Sequence, residues 1–504
     1  MNIISRMFVA ISTISILIVG GIQVSLMTRY VSYDAPSETF GNCDEYDQFV
    51  RRTTGVDLEA ASGGSLADLA EAAKFQSDHR PIIVRYSDGG ELVNRCDYTK
   101  ALYAVQHDPG KPKLILVFVH GWRVDSGPAY YFPSSWRAKE KIFGVLPNPF
   151  FVDPAANIDR LLYNFSDAAR DDARFSEARG GDLRQFSAFV EELRERIRRN
   201  GDDRVVVPIV ISWTGGAGIA PLDVLTFIDR RNTSDSIARS GHIPRMFGAI
   251  ENISRIGENP DDQIVYIGHS FGARILYSSV VHRMISAVQR RFPQGGAPSY
   301  DIVDSAQDLV VLISPALEAA AYKAVDEFQL GDPFHPQQPP LILSVQAQSD
   351  WANRRAFYIG QQLMGFHFDN NQNESFGFKK SFQSHRLTAP DSGCRTGEIA
   401  SNDHWYDDFC YDGVSLQHLS DDDWPCWKLA TSDKCAHSPF IVAHADETVL
   451  QSHSWLEQPS DAFNKWLIGF MDRNACSDPS RPLETRRSIT GVSCLEIAVA
   501  QSAP

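Results

Sequence analysis

Positive charge is in deficit in this chain. Its 504 residues carry 48 lysines and arginines against 63 aspartates and glutamates, a formal net charge of −15 at pH 7. A nucleic-acid partner, which would ask for a basic face, is therefore not expected. Paired cysteines are missing too: no C-x2-C occurs anywhere, so a zinc ribbon or finger has no ligand frame. Internal repeats and low-complexity tracts are absent, which leaves no basis for a solenoid or a disordered array. Long apolar runs are equally scarce, and the only one long enough to matter is Phe8–Met27 near the N-terminus.

That run is 20 residues long, follows Arg6 and meets no charge until Arg29. It is long enough to span a bilayer as a helix. Residues 1–29 are therefore expected to be a signal-anchor or a signal peptide. "VSLMTRY" offers no clean A-x-A-like cleavage site, which favours the anchor. Either reading makes the membrane a partner of the N-terminal segment and places the body of the protein outside the cytosol. Eight cysteines, Cys43, Cys96, Cys394, Cys410, Cys426, Cys435, Cys476 and Cys494, lie in polar, loop-like sequence. An even number in an exported chain suggests disulfides. Spacing does not fix the pairing; Cys43 with Cys96 is one natural pair.

The remainder reads as a globular protein with a sizeable core, since 43% of residues are apolar and 22% charged. Residues 30–110 form an N-terminal extension with a helical pattern at Ser65–Phe75 and a short strand at Ile82–Tyr86. From about residue 111 the texture changes. Continuous apolar runs at Lys113–Trp122, Arg204–Trp213, Gln263–Gly268, Asp308–Ala316 and Pro340–Asp350 fit strands buried on both faces. Helical spacing lies between them, as at Leu183–Asn200, where Phe186, Phe189, Val190, Leu193 and Ile197 share one side. A second helix follows Gly268, with Ile275, Leu276, Val280, Met284 and Ile285 near one stripe. Strands alternating with helices imply an α/β fold with a mostly parallel sheet covered on both faces.

Two regions interrupt the rhythm. Gly215–Gly257 is expected to form a lid or cap, and residues 367–437 a Cys-rich insertion. The acidic residues Asp421–Asp423 within that insertion match no EF-hand loop and read as a solvated surface. Residues 476–504 are expected to be a C-terminal tail.

The chemistry-bearing stretch is "QIVYIGHSFGARILYSSVV", Gln263–Val281. Here a serine stands between two glycines where a strand becomes a helix. A serine hydroxyl needs a base to become a nucleophile, and it must stand exposed. A tight strand–turn–helix exposes it but crowds the backbone, and glycines two residues before and after relieve the crowding. This is the mechanics of the G-x-S-x-G nucleophile elbow. The helix beyond brings backbone N–H groups that suit an anionic intermediate. The pentapeptide alone occurs by chance in roughly one chain of this length in several; its strand–helix context carries the weight.

Together "FVHGW", "GHSFG", "SDWANR" and "QSHSW…FNKWLIGFM" resemble the α/β-hydrolase superfamily over residues 110–475, in particular its serine-esterase or lipase-like members with His-Gly-Trp after an early strand. The resemblance implies an α/β-hydrolase domain over 111–475, with Ser270 as nucleophile. The N–H groups of Phe271 and Trp122 would form the oxyanion hole, with His120 and Gly121 in the substrate-binding loop. The acid is expected two strands after the elbow, at Asp350, with Glu318 as its rival; a helix N-cap is the alternative role for Asp350. The base is expected between the last strand (Ser438–Glu447) and the C-terminal helix (Asp461–Met471), at His453. His385 is the second choice, His444 falls inside the strand, and His269 points away from substrate. The implied reaction is hydrolysis of a small-molecule or lipid ester through an acyl-enzyme, with no cofactor or metal. Acyl transfer to an alcohol or thiol, or a non-catalytic anchored scaffold, are the alternatives.

Overall fold

The computed structural model describes, with short breaks, residues 81–121, 181–213, 227–290, 302–361, 373–389, 408–418, 438–453, 461–477 and 485–495. In chain order these hold β1 (Ile82–Arg85), α1 (Arg95–Gln106), β2 (Lys113–Val119), α2 (Gly181–Arg199), β3 (Val205–Ser212), α3 (Phe227–Arg239), α4 (His242–Ile256), β4 (Gln263–His269) and α5 (Phe271–Gln289). They continue with β5 (Leu309–Ile313), α6 (Ala319–Gly331), β6 (Ile342–Ala347), β7 (His385–Thr388), β8 (Asp408–Tyr411), β9 (Val414–His418), β10 (Phe440–Ala445) and α7 (Asp461–Cys476).

One ten-stranded mixed sheet organises all of this, in the order β1-β3-β2-β4-β5-β6-β10-β7-β9-β8. The strands from β1 to β7 along that order pair in parallel, and β9 and β8 close the edge in antiparallel fashion. Every residue of β2, β4, β5 and β6 is buried, as the continuous apolar runs require.

Strand periodicity divides the core. Ile115, Val117 and Val119 face one layer, where Ile243, Met246, Phe247 and Ile250 of α4 meet Ile275, Leu276, Val280 and Met284 of α5. Leu114, Leu116 and Phe118 face the other, against Phe186, Phe189, Val190, Leu193 and Ile197 of α2 and Phe463, Trp466 and Phe470 of α7. The α2 stripe is the one its sequence spacing predicts.

Several expected boundaries are corrected. The domain begins before residue 111, because β1 pairs with β3 through Ile82↔Ile209 to Arg85↔Ser212 and α1 packs beside it. Within Gly215–Gly257, residues 227–256 form two crossover helices on the sheet instead of a lid. The apolar positions of α4 recur at 243, 246, 247 and 250 and lie fully buried, a stripe that its arginines mask in composition. The expected insertion 367–437 supplies sheet edge: β7 lies parallel to β10, and β9 and β8 continue from it.

Residues 485–495 of the expected tail are tied down. Cys476 at the end of α7 is disulfide-bonded to Cys494, and both the amide and the hydroxyl of Thr490 donate to Asp472. Burial pushes the Asp472 carboxyl above its ordinary value against these hydrogen bonds. The disulfide closes a loop of 18 residues. Its chain-entropy contribution is about 3 kcal/mol, so Cys494→Ser should lower urea-unfolding stability by roughly that amount, and Cys476→Ser should lower it to the same extent. Cys410 is also disulfide-bonded. The Cys43–Cys96 pairing, Ser65–Phe75, the Asp421–Asp423 cluster and the apolar run Phe8–Met27 lie outside the described residues. Among the described residues, no helix is long and apolar enough to cross a membrane.

Candidate functional site

Topology selects the place for a site. From β2 the chain crosses to β3 on one side, then returns over β2 to β4 on the other. In an open parallel sheet such a reversal opens a crevice at the carboxyl ends of the strands, here β2 and β4. His120 and Gly121 follow β2, and Ser270 follows β4.

Ser270 bridges β4 and α5 in a left-handed conformation, φ 53° and ψ −121°. A non-glycine residue is strained there and persists only when its surroundings hold it. They do so through the backbone. The Ser270 N–H donates to the carbonyl of Ile313 at 3.0 Å, and the Ala316 N–H donates to the carbonyl of Ser270 at 3.1 Å. The two glycines have distinct reasons. A Cβ on Gly268 would stand 2.6 Å from the Cα of Ala273, where strand and helix nearly touch. A Cβ on Gly272 would overlap the carbonyls of Val119 and His120 at the end of β2. The hydroxyl makes no cap for α5 and instead points to a histidine.

That histidine is His453. Its Nε2 lies 2.7 Å from Ser270 Oγ, and its Nδ1 lies 2.8 Å from Asp350 Oδ2. The carboxylate can only accept, so Nδ1 carries the proton and Nε2 is left to accept from the serine. Asp350, fully buried beyond β6, is held on every side. Its Oδ2 also accepts from Gln346 Nε2 at 2.7 Å, and its Oδ1 accepts the Asn353 N–H at 2.9 Å. Burial alone would raise the Asp350 carboxyl, but His453 and these hydrogen bonds outweigh it and hold the group below its ordinary value. Both placements weighed for Asp350 coincide in one side chain: one oxygen caps the short helical turn Ala352–Ala356, and the other faces His453.

The rival residues are committed elsewhere. Glu318 accepts from Arg231, Arg274 and Gln361. His385 is buried in β7 with Nδ1 against Ser384 Oγ, and His444 lies in β10 edge-on to Phe378. Phe271 opens α5, so its amide sits at the positive end of that helix. Trp122 lies outside the described residues.

The expected substrate-contacting role of His120 is corrected. Its side chain is fully buried and stacked on Trp213. The Trp213 N–H donates to Nε2 at 3.2 Å, so the proton is on Nδ1, which faces the Gly121 carbonyl at 2.9 Å. With both ring nitrogens engaged inside the fold, His120 shapes the loop after β2. Gly121 is likewise buried.

Three supporting residues escape the motif reading. Asn353 links the acid to the elbow: its Nδ2 donates to the carbonyls of Ser314 and Pro315, beside the Ala316 N–H that grips Ser270. Ser314 also has a positive φ, 43°, and its N–H donates to the carbonyl of Val345 at 2.8 Å. Gln346 donates to Asp350 from within β6. Asn353 lies inside "SDWANR", three residues after the acid, and that spacing was the available signal. His269 does not simply point away: its Nε2 lies 2.8 Å from the main-chain carbonyl of His453.

Among the described residues, no group of three histidine, cysteine or acidic side chains is arranged to hold a metal. Comparison with family models, with curated proteins and with solved structures finds no match to this chain.

Proposed function

We propose that this protein is a serine hydrolase of the α/β-hydrolase type that cleaves carboxylic esters, of small molecules or lipids, through an acyl-enzyme. The observation that carries the reading is the unbroken series Asp350–His453–Ser270, with contacts of 2.8 and 2.7 Å. Three separate segments meet beyond the carboxyl ends of parallel strands, and the serine sits on a strained elbow.

In this mechanism Ser270 Oγ attacks the ester carbonyl while its proton passes to His453 Nε2. Asp350 stays ionised and stabilises the imidazolium that forms. The oxyanion is held by the Phe271 amide and, by resemblance, by the Trp122 amide. Each such donor contributes a few kcal/mol, roughly 3–4. The imidazolium then protonates the departing alkoxide as the acyl–oxygen bond breaks. Water, deprotonated by His453, attacks the acyl-serine and releases the acid with Ser270 restored. The residues needed are all in the chain, without a cofactor. The N-terminal apolar run and the disulfides support export, with the catalytic domain anchored or free outside the cytosol.

Labelling with a fluorophosphonate, followed by peptide mapping, tests this. The adduct should fall on Ser270, vanish in Ser270→Ala and form far more slowly in His453→Ala. No adduct in folded wild type would remove the hydrolase reading.

A further inference from the structure

We propose that His269 is a positioning residue that fixes the main chain of the base His453, so that one strand end sets both the nucleophile and its base. This rests on the reading of Ser270, His453 and Asp350 as a catalytic set. His269 is the last residue of β4 and immediate neighbour of Ser270, and it is 4% exposed. It is locked into the sheet opposite Ile313 of β5. Its Nε2 lies 2.8 Å from the His453 carbonyl. A carbonyl only accepts, so Nε2 carries the proton and donates. The two imidazoles lie 5.3 Å apart with their planes at 46°, in contact without competing for the same atoms.

The geometry explains why such a tether matters. His453 is 183 residues from Ser270 in the chain and comes from the segment between β10 and α7. Its ring makes two directional bonds, to Asp350 and to Ser270, and both depend on where its Cα lies. The His269 bond fixes the backbone directly, from a residue covalently joined to the nucleophile. Acid, nucleophile and buried strand end thus locate the base at three points. A displacement of about 1 Å at such a centre can cost 100-fold in rate.

The test uses the full chain and two readouts. The rate of fluorophosphonate labelling of Ser270 is measured for wild type, His269→Phe, His269→Gln, His453→Ala and His269→Phe/His453→Ala. The downfield proton resonance of the His453 Nδ1–H bound to Asp350 is recorded for wild type and the His269 variants. Phenylalanine keeps a ring without a donor; glutamine can return an N–H to the Nε2 position. His269→Phe should label about 10- to 100-fold more slowly and lose the resonance by broadening. His269→Gln should recover both to within a few-fold. In the His453→Ala background the His269→Phe change should have no further effect, since the residue acts through the base.

Equal slowing in both backgrounds would make His269 merely structural and overturn the proposal. So would a His269→Phe rate within threefold of wild type. If wild type itself does not label, the hydrolase reading fails on its own. The resonance then still decides: unchanged in His269→Phe, it refutes the tether, and broadened with recovery in His269→Gln, it supports it. A His269→Phe chain that does not fold leaves the comparison to His269→Gln and His269→Ala by the same two measures.

Discussion

Replacing Asp350 with asparagine should lower kcat/KM for an activated ester by about 10⁴-fold with the fold intact. The reason lies in the donors around the carboxylate. Oδ1 accepts from the Asn353 N–H, and Oδ2 accepts from both Gln346 and His453. An amide offers one acceptor and one donor in the same two places. With its oxygen kept toward Asn353, its NH₂ faces His453 Nδ1, which must then accept. The imidazole proton moves to Nε2 and confronts Ser270 with a donor, so the base can no longer take the serine proton. The opposite orientation preserves the tautomer but sets NH₂ against the Asn353 N–H. Either way the negative charge that stabilises the imidazolium is lost from a site with no exposure. Steady-state hydrolysis of a p-nitrophenyl ester, beside circular dichroism and urea unfolding of the same sample, measures this. A loss under tenfold in a folded variant would take the acid's role from Asp350. His453→Ala should be at least as severe, and the two losses should not add, because the residues act as a unit.

The sheet and the elbow were legible because their signals are local. Buried parallel strands announce themselves as unbroken apolar runs: β2, β3, β5 and β6 fall inside the predicted runs, and β4 outruns its own by one residue. The elbow is a five-residue pattern whose glycines answer two separate steric demands, at Ala273 and at the end of β2. Asp350 and His453 came through the resemblance, which implies the order serine, acid, histidine with the acid two strands after the elbow; the structure places His453 between Asp350 and Ser270. What stayed hidden was set by contacts distant in sequence. The stripe of α4 was present in the sequence, yet arginines and glycines around it made the region look like a cap; the sheet face that buries Phe247 lies elsewhere in the chain. Strands β7 to β9 are only four or five residues long, too short for a periodic signal, and their membership of the sheet depends on β10 coming between β6 and β7. His120 shows the same limit at one residue. A histidine beside a glycine in this loop suggests substrate contact; the approach of Trp213, 93 residues on, engages Nε2, while Nδ1 meets the carbonyl of the adjacent Gly121.

Glu318→Gln should destabilise the protein by about 3–5 kcal/mol, with the deficit shrinking in acid. Four charges that sum to zero are packed under the elbow: Arg231 and Asp235 from α3, Arg274 from α5, and Glu318 after β5. Arg274 forks onto Asp235 at 2.6 and 3.0 Å and reaches Glu318 with its Nη1. Arg231 places Nε and Nη2 on Glu318 Oε1 at 2.8 and 2.6 Å. Removing the charge that both arginines hydrogen-bond leaves the buried Arg274 and the partly buried Arg231 to Asp235 alone. The damage should reach the site as well, since Arg274 Nη1 also donates to the Ala316 carbonyl at 3.3 Å, and the Ala316 N–H holds the carbonyl of Ser270. The pH dependence follows from the direction of the shift. Burial would raise the Glu318 carboxyl, but Arg274 and Arg231 outweigh it and hold it at about 2, against 4.5 ordinarily. A depressed folded-state value contributes stability that is fully present above pH 4.5 and is lost as pH falls toward 2; the whole is worth about 3 kcal/mol. Glutamine cannot titrate, so wild type should lose about 2 kcal/mol more than Glu318→Gln between pH 6 and pH 3. Urea unfolding at the two pH values reads this directly. A variant within 1 kcal/mol of wild type at pH 6, or a gap that does not narrow at pH 3, would show that the four charges contribute no net stability beneath the elbow.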